Sequence, residues 1–553
     1  MSPNPVRSAL LMCGISCTLL LPAQSHAQLA QNIFIGNPKA LALGNAVTAD
    51  PPGIDAIHFN PAGLAKLRGR QYEIKGIAAD FSLKAEFSPG PELQTAFELF
   101  PETLSDPLVN GQTSELSGTS VMLPFFGLTE IPALLAATGG ASFEVEEQNM
   151  VLATGVFAPM LLGLKREPDD PGIYSGEEVG ITRLTYFSPS VGYRISDTLF
   201  VGAALNFSYV GVGLNFDMRL PNFTFGAFDT LQQGGCFDPD GSIVSNPLND
   251  IICPQDLEDP ARLSPFQGMA YIEAEFERPL STTFNVGVLW DVQPWLSLGM
   301  VYMSGARDRI DGDVRIDYSP GVQGFVNNLA QDPTVVGLIA RGVGLEAISV
   351  DETPASLTLE YPQHFSVGAS IKVTPRLKTN IDIKWTDTAV WDEWNIQFEE
   401  SVQFLGVLGA IVQSLDQGTT GGYLGADSLV LPRDYESVWT WAIGFEYQYT
   451  DRLAFRLGYE PRGSSIPEDK QDLFVPIGDT KLYSTGFAFH WSRDTFIEGS
   501  LGYVHSEQDI PSNGSTNSTS TAIDNFIYNP YAGYNMKTEL KVIVGEISIR
   551  STF

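Results

Sequence analysis

The sequence predicts an all-β fold: a 14-stranded antiparallel transmembrane β-barrel with an N-terminal plug inside its lumen. Three observations lead to this prediction. Apolar residues alternate with small or polar ones along many segments, a secretory signal precedes a chain without a membrane helix, and the alternating segments number fourteen. A strand with such alternation has one apolar face, and strands cross a lipid bilayer only as a closed barrel.

The first amino acids have the pattern of a signal peptide over residues 1–27. Arg7 supplies a positive charge, residues 9–21 form an apolar core, and Ser25-His26-Ala27 offers a small-x-small cleavage pattern. This core is too short to cross a bilayer interior of about 30 Å as a helix, and no other stretch reaches about 20 apolar residues. We therefore expect export to a bacterial outer membrane as a multi-pass barrel.

Residues 28–69 do not have the pattern of a strand. They are rich in alanine, glycine, asparagine and proline, with breakers at Pro51-Pro52 and Asn60-Pro61. Such a segment is either a flexible leader or a plug. A barrel of fourteen strands is wide enough to leak unless something fills it, so we predict a plug followed by a barrel over residues 70–553.

Alternation and turn residues predict the strands. The clearest pattern runs over 438–449, where aromatic and large apolar residues take every second position. Short connections alternate with long ones, as expected for periplasmic turns and extracellular loops. The long loops fall at about 216–268, 319–355, 400–436 and 507–537. The predicted strands lie near 71–87, 113–127, 148–166, 181–196, 198–215, 269–290, 295–318, 356–373, 376–399, 437–450, 451–465, 479–492, 494–506 and 538–553, with 128–147 as a long inner connection.

The net charge of the chain is −33 and becomes −34 when the signal leaves, because the signal carries Arg7 and no acid. Such a charge argues against nucleic-acid partners, whose phosphates it repels. Acidic runs such as 167–170 and 468–472 either solubilise exposed loops or bind divalent cations that bridge to lipopolysaccharide. We expect contacts with outer-membrane lipid and lipopolysaccharide.

The chain offers little for catalysis, a metal or a cofactor. Cys236 and Cys253 lie in a stretch rich in glycine, proline and aspartate without a nearby histidine, so we predict a loop disulfide and no zinc site. His364 and His490 fall on inward strand faces without the spacing of a triad, and no Walker, Rossmann or HExxH pattern occurs. We expect neither an enzyme nor a bound cofactor.

Several segments resemble the FadL/TodX (OMPP1) family of outer-membrane transporters for long-chain fatty acids and other hydrophobic compounds. Asn60, Pro61 and Ala62 match the Asn-Pro-Ala motif in the N-terminal hatch of that family. Further matches follow in the order of the family: Phe157-Ala158-Pro159, 188–195, 361–368, Trp385-Thr386 before Trp391, and 457–459. The loops of this chain are longer than we expect for the family, so loop-borne binding residues are not carried over.

The resemblance implies a monomeric barrel with a hatch and passive uptake of a hydrophobic small molecule, by default a long-chain fatty acid. In that scheme a groove between extracellular loops captures the ligand and a lumen pocket receives it. Rearrangement of the hatch then lets the ligand leave sideways, through a gap at a kinked strand. An alkane or an aromatic hydrocarbon is an alternative substrate.

Two sets of residues are candidates for the transport path. Ala158 and Pro159 interrupt a strand-like run, where the missing N–H of the proline either kinks the strand and opens the wall or simply marks the end of the strand. Lys384 and Arg456 are inward-facing cations. They either pair with lumen carboxylates, namely Asp382, Glu446 and Glu460, or bind the head group of a fatty acid.

Two other functions stay open for a barrel of this kind. A general diffusion porin would admit hydrophilic solutes, and an adhesin-like barrel would act through its acidic loops. A porin needs no plug, so residues 28–69 distinguish that alternative from a transporter.

Overall fold

The computed structural model describes residues 35–99, 106–131, 134–219, 268–331, 349–402, 405, 427–522 and 529–553. Fourteen antiparallel strands in this part of the chain form a barrel, and interruptions divide five of them in two. They are β1 Arg70–Pro89, β2 Leu134–Val145, β3 Met150–Lys165, β4 Glu178–Phe187 with Ser190–Arg194, β5 Leu199–Met218, β6 Ala270–Gln293, β7 Leu296–Met303 with Ala306–Tyr318, β8 Val350–Tyr361 with His364–Lys372, β9 Leu377–Thr386 with Glu393–Phe398, β10 Ser428–Pro432 with Val438–Thr450, β11 Leu453–Arg462, β12 Asp479–His490, β13 Thr495–Ile510 and β14 Tyr534–Thr552.

The barrel closes between its first and last strands. β1 pairs with β14 in one unbroken register, from Gln71↔Thr552 to Pro89↔Tyr534. The alternation predicted from the sequence separates the lumen from the lipid face. On β10, for example, Trp439 and Trp441 are exposed on the outer face while Thr440 is buried. The predicted number of fourteen strands and the antiparallel barrel are confirmed.

The two ends of the barrel differ. At one end the strands join through tight turns, such as 294–295 between β6 and β7 and 451–452 between β10 and β11. We call this the short-turn end, and the opposite end the long-loop end. The long-loop end carries the helices Pro91–Leu99 and Pro320–Gln331. Among the described residues no helix combines the length and the apolar character that a membrane-crossing helix requires.

The prediction for the second strand is wrong. Residues 113–127 do not form it; they contribute the short strands Thr113–Glu115 and Thr119–Leu123, the latter in a hairpin with Gly127–Ile131. β2 is instead Leu134–Val145, inside the segment predicted as an inner connection. The reason lies in packing. β2 is rich in alanine and glycine because residues 35–69 approach it closely, so that a Cβ on Gly140 would lie 2.8 Å from the Ile54 side chain. Small residues hide the apolar alternation on which the prediction depended.

Residues 35–69, which we call the N-terminal segment, lie inside the barrel in the half nearer the short-turn end. The segment consists of the short helices Pro38–Ala42 and Ala56–Phe59, the 3-10 turns Gly53–Asp55 and Pro61–Lys66, and the links between them. Almost all of it up to residue 65 is buried. The predicted signal peptide 1–27, residues 28–34 and the predicted Cys236–Cys253 disulfide lie outside the described residues.

Candidate functional site in the barrel lumen

Asn60 joins the N-terminal segment to the barrel wall. Its fully buried side chain donates to the Thr48 carbonyl at 2.8 Å and to the Val288 carbonyl of β6 at 3.1 Å. Its Oδ1 accepts from the Ala62 amide at 3.2 Å and so caps the turn that Pro61 begins. This is the usual role of an asparagine at the start of a turn whose first residue is proline. Asn60 therefore holds two parts of the segment and one strand together.

Polar contacts fix the segment at further points of the wall. Thr48 donates from its amide at 2.9 Å and from its hydroxyl at 2.8 Å to Asp382 of β9. Asn45 donates to Glu460 of β11 at 3.0 Å, and Asn285 of β6 donates to the Ile57 carbonyl at 3.0 Å. Buried polar groups are costly unless they are paired, so these bonds specify one seating of the segment.

Ion pairs also connect the segment to the lumen wall. Asp55 accepts from Lys75 of β1 at 2.7 Å, and Asp50 lies 2.8 Å from Lys39 within the segment. Asp50 also lies 2.6 Å from Lys378 of β9. Each pair is largely buried, which makes its removal far more costly than that of an exposed ion pair.

The two predicted head-group cations, Lys384 and Arg456, are both buried and ion-paired. Lys384 Nζ lies 2.7 Å from Glu460 Oε1, and Arg456 lies 2.7 Å from Glu446 and 2.7 Å from Glu498. Their carboxylate partners come from the barrel itself. A head-group role for either cation stays a prediction, and it would require a ligand to compete with these existing pairs.

Glycines on the inner face of the wall make room for the segment. A Cβ on Gly202 would lie 2.2 Å from the Pro61 carbonyl carbon, and one on Gly287 would lie 2.0 Å from Asn60 Oδ1. The contacted atoms belong to backbone or to a buried, bonded side chain, which cannot move cheaply. Glycines on seven different strands meet the segment in this way and form a ring: Gly192, Gly202, Gly287, Gly299, Gly368, Gly444 and Gly458.

The wall is interrupted beside Ala158 and Pro159. β3 pairs with β2 only up to Val156↔Gly139, and within the described residues no ladder joins the rest of β3 to β2. On its other side β3 pairs with β4, with a register shift between Phe157 and Met160 that leaves Ala158 and Pro159 as a bulge. A proline lacks the amide that a regular ladder needs, so a bulge is where a strand tolerates one. We call this interruption between β2 and β3 the wall gap.

An apolar cavity of about 60 Å³ lies beside the part of β3 that is not paired with β2. Leucines of β3, in the part of that strand that is not paired with β2, line the cavity together with Phe81 and Leu83 of β1. The surface of the cavity is almost entirely carbon, although Arg462 and Thr480 contribute to it. The other lining residues come from the long-loop end and from β13 and β14: Leu116, Pro476, Ile477, Val504, Leu540 and Val542. Apolar cavities of this kind stay dry and accept hydrocarbon groups.

Sequence reasoning missed several of these residues. Arg462 was not a candidate, although its Nε lies 2.9 Å from Glu460 and its side chain borders the cavity. The glycine ring was not predicted either. A signal was available: Gly202, Gly287, Gly444 and Gly458 all occupy inward positions of alternating strands, where a large residue would otherwise be expected.

One cluster in the described residues has the composition of a cation site. The ligating atoms of His505, Glu507 and Glu539 lie within 4.8 Å of one another. The ammonium group of Lys541 already lies 2.7 Å from Glu539. The cluster sits on the outer face of β13 and β14, away from the lumen cavity, and we assign it no part in the transport path.

Comparisons with known proteins place the chain in a family. Residues 20–553 match the family model described as outer membrane protein transport protein (OMPP1/FadL/TodX). A long-chain fatty acid transport protein of Escherichia coli is 21% identical over 225 residues, which cover 41% of this chain and 42% of that protein. The matched stretch thus spans less than half the length of this curated relative.

Solved structures share the fold. A FadL homologue of Pseudomonas aeruginosa superposes with a TM-score of 0.63 at 15% identity, covering 94% of this chain and 99% of that one. The toluene transporter TodX of P. putida superposes with a TM-score of 0.56 at 13% identity, covering 96% and 99%. With the family model matching nearly the whole sequence, the chain is a member of the OMPP1/FadL/TodX family of outer-membrane proteins.

Proposed function

We propose that the protein takes up hydrophobic compounds, most directly long-chain fatty acids, across the outer membrane by facilitated diffusion. The ligand enters at the long-loop end, occupies the lumen cavity and leaves sideways through the wall gap into the membrane. One observation carries this proposal: the cavity has a carbon surface, and the leucines of β3 at the edge of the gap form part of its wall. Each Å² of ligand surface kept from water on this route is worth about 25 cal/mol.

The N-terminal segment acts as the hatch in this proposal. It lies in the half of the lumen between the cavity and the short-turn end, and Asn60, Thr48 and Asn45 fix it to three different strands. Toward the short-turn end, a ligand in the cavity therefore meets the buried polar groups of the N-terminal segment. At its side it meets the wall gap. Passing the buried polar groups of the segment costs an apolar molecule more free energy than passing the interrupted wall.

Long-chain fatty acid is the substrate that we favour. The curated relatives carry that activity in their name, while two of the solved relatives with this fold are toluene transporters. The carbon surface of the cavity suits part of an acyl chain and equally part of a hydrocarbon, because it offers almost no polar atoms.

A substitution in the cavity tests the proposal. Val542 lines the cavity and is 5% exposed, while its neighbour Ile543 faces lipid and is 48% exposed. Val542→Trp should fill the cavity and reduce the uptake of labelled oleate to background. Ile543→Trp adds the same bulk to the same strand on its other face and should leave uptake unchanged. Uptake is measured in cells that express each variant in place of their own importer.

Several labelled solutes separate the alternatives in the same cells. Oleate, hexadecane, toluene and a sugar are compared in cells that express the unaltered protein. Uptake of hexadecane or toluene alone would keep the path and change the substrate. If the sugar enters as readily as the hydrophobic solutes, and if Val542→Trp does not change its uptake, the proposal is overturned in favour of a diffusion porin.

A further inference from the structure

A cluster of aromatic side chains at the long-loop end contains buried polar groups that pair with nothing in the described part of the chain. Trp391 contacts Trp394 and Tyr435, with ring centroids 6.2 Å and 5.8 Å apart. The Arg433 guanidinium lies 4.1 Å from the Trp394 ring centroid, and Phe474 packs edge-on against Trp394 at 5.2 Å. We call these five residues, together with Ser465, the mouth cluster. Ser465 belongs to it because its carbonyl accepts from the amide of Glu436, the residue after Tyr435.

Four groups in the mouth cluster have no hydrogen-bond partner among the described residues. They are the indole N–H of Trp394, the Nε–H of Arg433 and the hydroxyls of Tyr435 and Ser465. Each of these residues is more than nine-tenths buried, with exposed fractions of 6%, 5%, 4% and 1%. Most proteins pair such groups, because burying an unpaired donor costs stability. Four unpaired groups in one place therefore require an explanation.

The chemistry of these groups shows what is missing. Indole and guanidinium nitrogens only donate, and a hydroxyl can donate. Burial raises the pKa of Tyr435, so its hydroxyl keeps its proton at neutral pH. The buried carboxylate of Asp472 is already occupied: it pairs with Arg433 Nη1 and accepts from the amides of Phe474 and Val475. The cluster therefore lacks an acceptor oxygen.

The mouth cluster is continuous with the lumen cavity. Val475 follows Phe474 and packs in the same apolar core as Trp391, Trp394 and Tyr435. The next two residues, Pro476 and Ile477, line the cavity itself. A molecule with an oxygen at one end and an apolar chain at the other could place the first at the mouth cluster and direct the second past Ile477 into the cavity.

We propose that the mouth cluster binds the oxygen of an amphiphilic ligand, with Trp394, Arg433, Tyr435 and Ser465 as donors. The ligand class is an apolar chain that ends in a carboxylate or a carbonyl group, and a plain hydrocarbon is excluded from tight binding. Because Asp472 balances the charge of Arg433, a neutral carbonyl oxygen satisfies the donors as well as a carboxylate does. This inference rests on the proposed function and adds the recognition step that selects the substrate.

Binding of three ligands of equal chain length tests the proposal. Labelled dodecane, 2-dodecanone and dodecanoate are each equilibrated with the full-length protein in detergent, and their affinities are measured by dialysis. Trp394→Phe and Tyr435→Phe remove one donor each and keep the ring. Since a hydrogen bond is worth a few-fold to about tenfold in affinity, each variant should weaken the binding of the two oxygenated ligands by that factor and leave dodecane unchanged.

Controls keep the outcome clear. Trp439→Phe and Tyr449→Phe make the same changes on the lipid face and should alter no affinity. Ser465→Ala provides a third donor variant with little change in volume. If the donor variants lose affinity for dodecanoate alone, the ligand class is restricted to carboxylates. If they lose affinity for both dodecanoate and 2-dodecanone, the class includes carbonyl compounds as well.

Two results would overturn this inference without touching the proposed function. If the donor variants bind the ketone and the acid as the unaltered protein does, water satisfies the donors and the cluster recognises nothing. If dodecane binding falls equally, the cluster has only a structural role. The proposed function itself fails if Val542→Trp, in the cavity, leaves the binding of all three ligands intact.

Discussion

Asn60 is the residue on which the seating of the N-terminal segment depends most. Its amide group serves Thr48, Val288 and Ala62 at once, inside a fully buried site. Asn60→Ala should leave these backbone groups unpaired at a cost of about 1–3 kcal/mol each, before relaxation. Faster hydrogen exchange over residues 37–66 is the expected result. Asn395→Ala, near the long-loop end, is the control, and unchanged exchange in Asn60→Ala would refute the role.

The close approach of Gly202 to the N-terminal segment gives a second prediction for a single residue. A Cβ there would lie 2.2 Å from the Pro61 carbonyl carbon, whereas one on Gly545 meets its first neighbour at 3.9 Å. Gly202→Val should therefore displace the segment and raise the ion conductance of the barrel in planar bilayers. Gly545→Val should behave as the unaltered protein does. Equal conductance of all three proteins would show that the segment does not depend on this contact.

The sequence predicts some residues well and others poorly, for physical reasons. Asn60-Pro61 is a local signal, because an asparagine before a proline caps its own turn, and the structure shows that bond. The partners of Lys384 and Arg456 lie 76, 10 and 42 positions away in the chain. The inward direction of such side chains follows from alternation, but their pairing depends on strand register, which one sequence does not give.

At the scale of elements, strands with a large apolar face were predicted, and β2, whose face toward the segment is made of small residues, was not. β10 and β11 alternate strongly because lipid covers one of their faces. β2 has small residues on the face that meets the segment, and the second strand was misplaced for that reason. The hairpin 119–131 was a second reason for the wrong prediction, because its residues also alternate between apolar and polar. In the structure this hairpin packs on the outer face of the wall, where Ser120 lies over Gly163 and Met122 over Gly180.

At the scale of the whole molecule, the described structure is a barrel with a filled lower lumen. The ion pairs Lys75–Asp55 and Lys378–Asp50 and the glycine ring all fix the segment inside it. Removing residues 28–66 should open a wide aqueous path and increase the conductance of the barrel sharply, because fourteen strands enclose more space than their side chains fill. If the truncated and the full protein conduct alike in planar bilayers, the segment does not close the lumen.

Removing Pro159 alone tests the central claim, lateral exit through the wall gap. Two residues, Ala158 and Pro159, oppose only Leu184 between the pairs Phe157↔Thr185 and Met160↔Arg183. Deletion of Pro159 would make this ladder regular and free β3 to extend its pairing with β2 across the gap. Pro159→Ala keeps the extra residue, and hence the bulge, and is the matched control.

The measurement is uptake of labelled oleate into cells that depend on the protein, with equal amounts of each variant in the outer membrane. The account predicts that the unaltered protein and Pro159→Ala import oleate, while the Pro159 deletion does not, although its barrel is folded and still closed to ions. Full uptake by the deletion variant would contradict the account, because the ligand would then have to leave past the N-terminal segment toward the short-turn end.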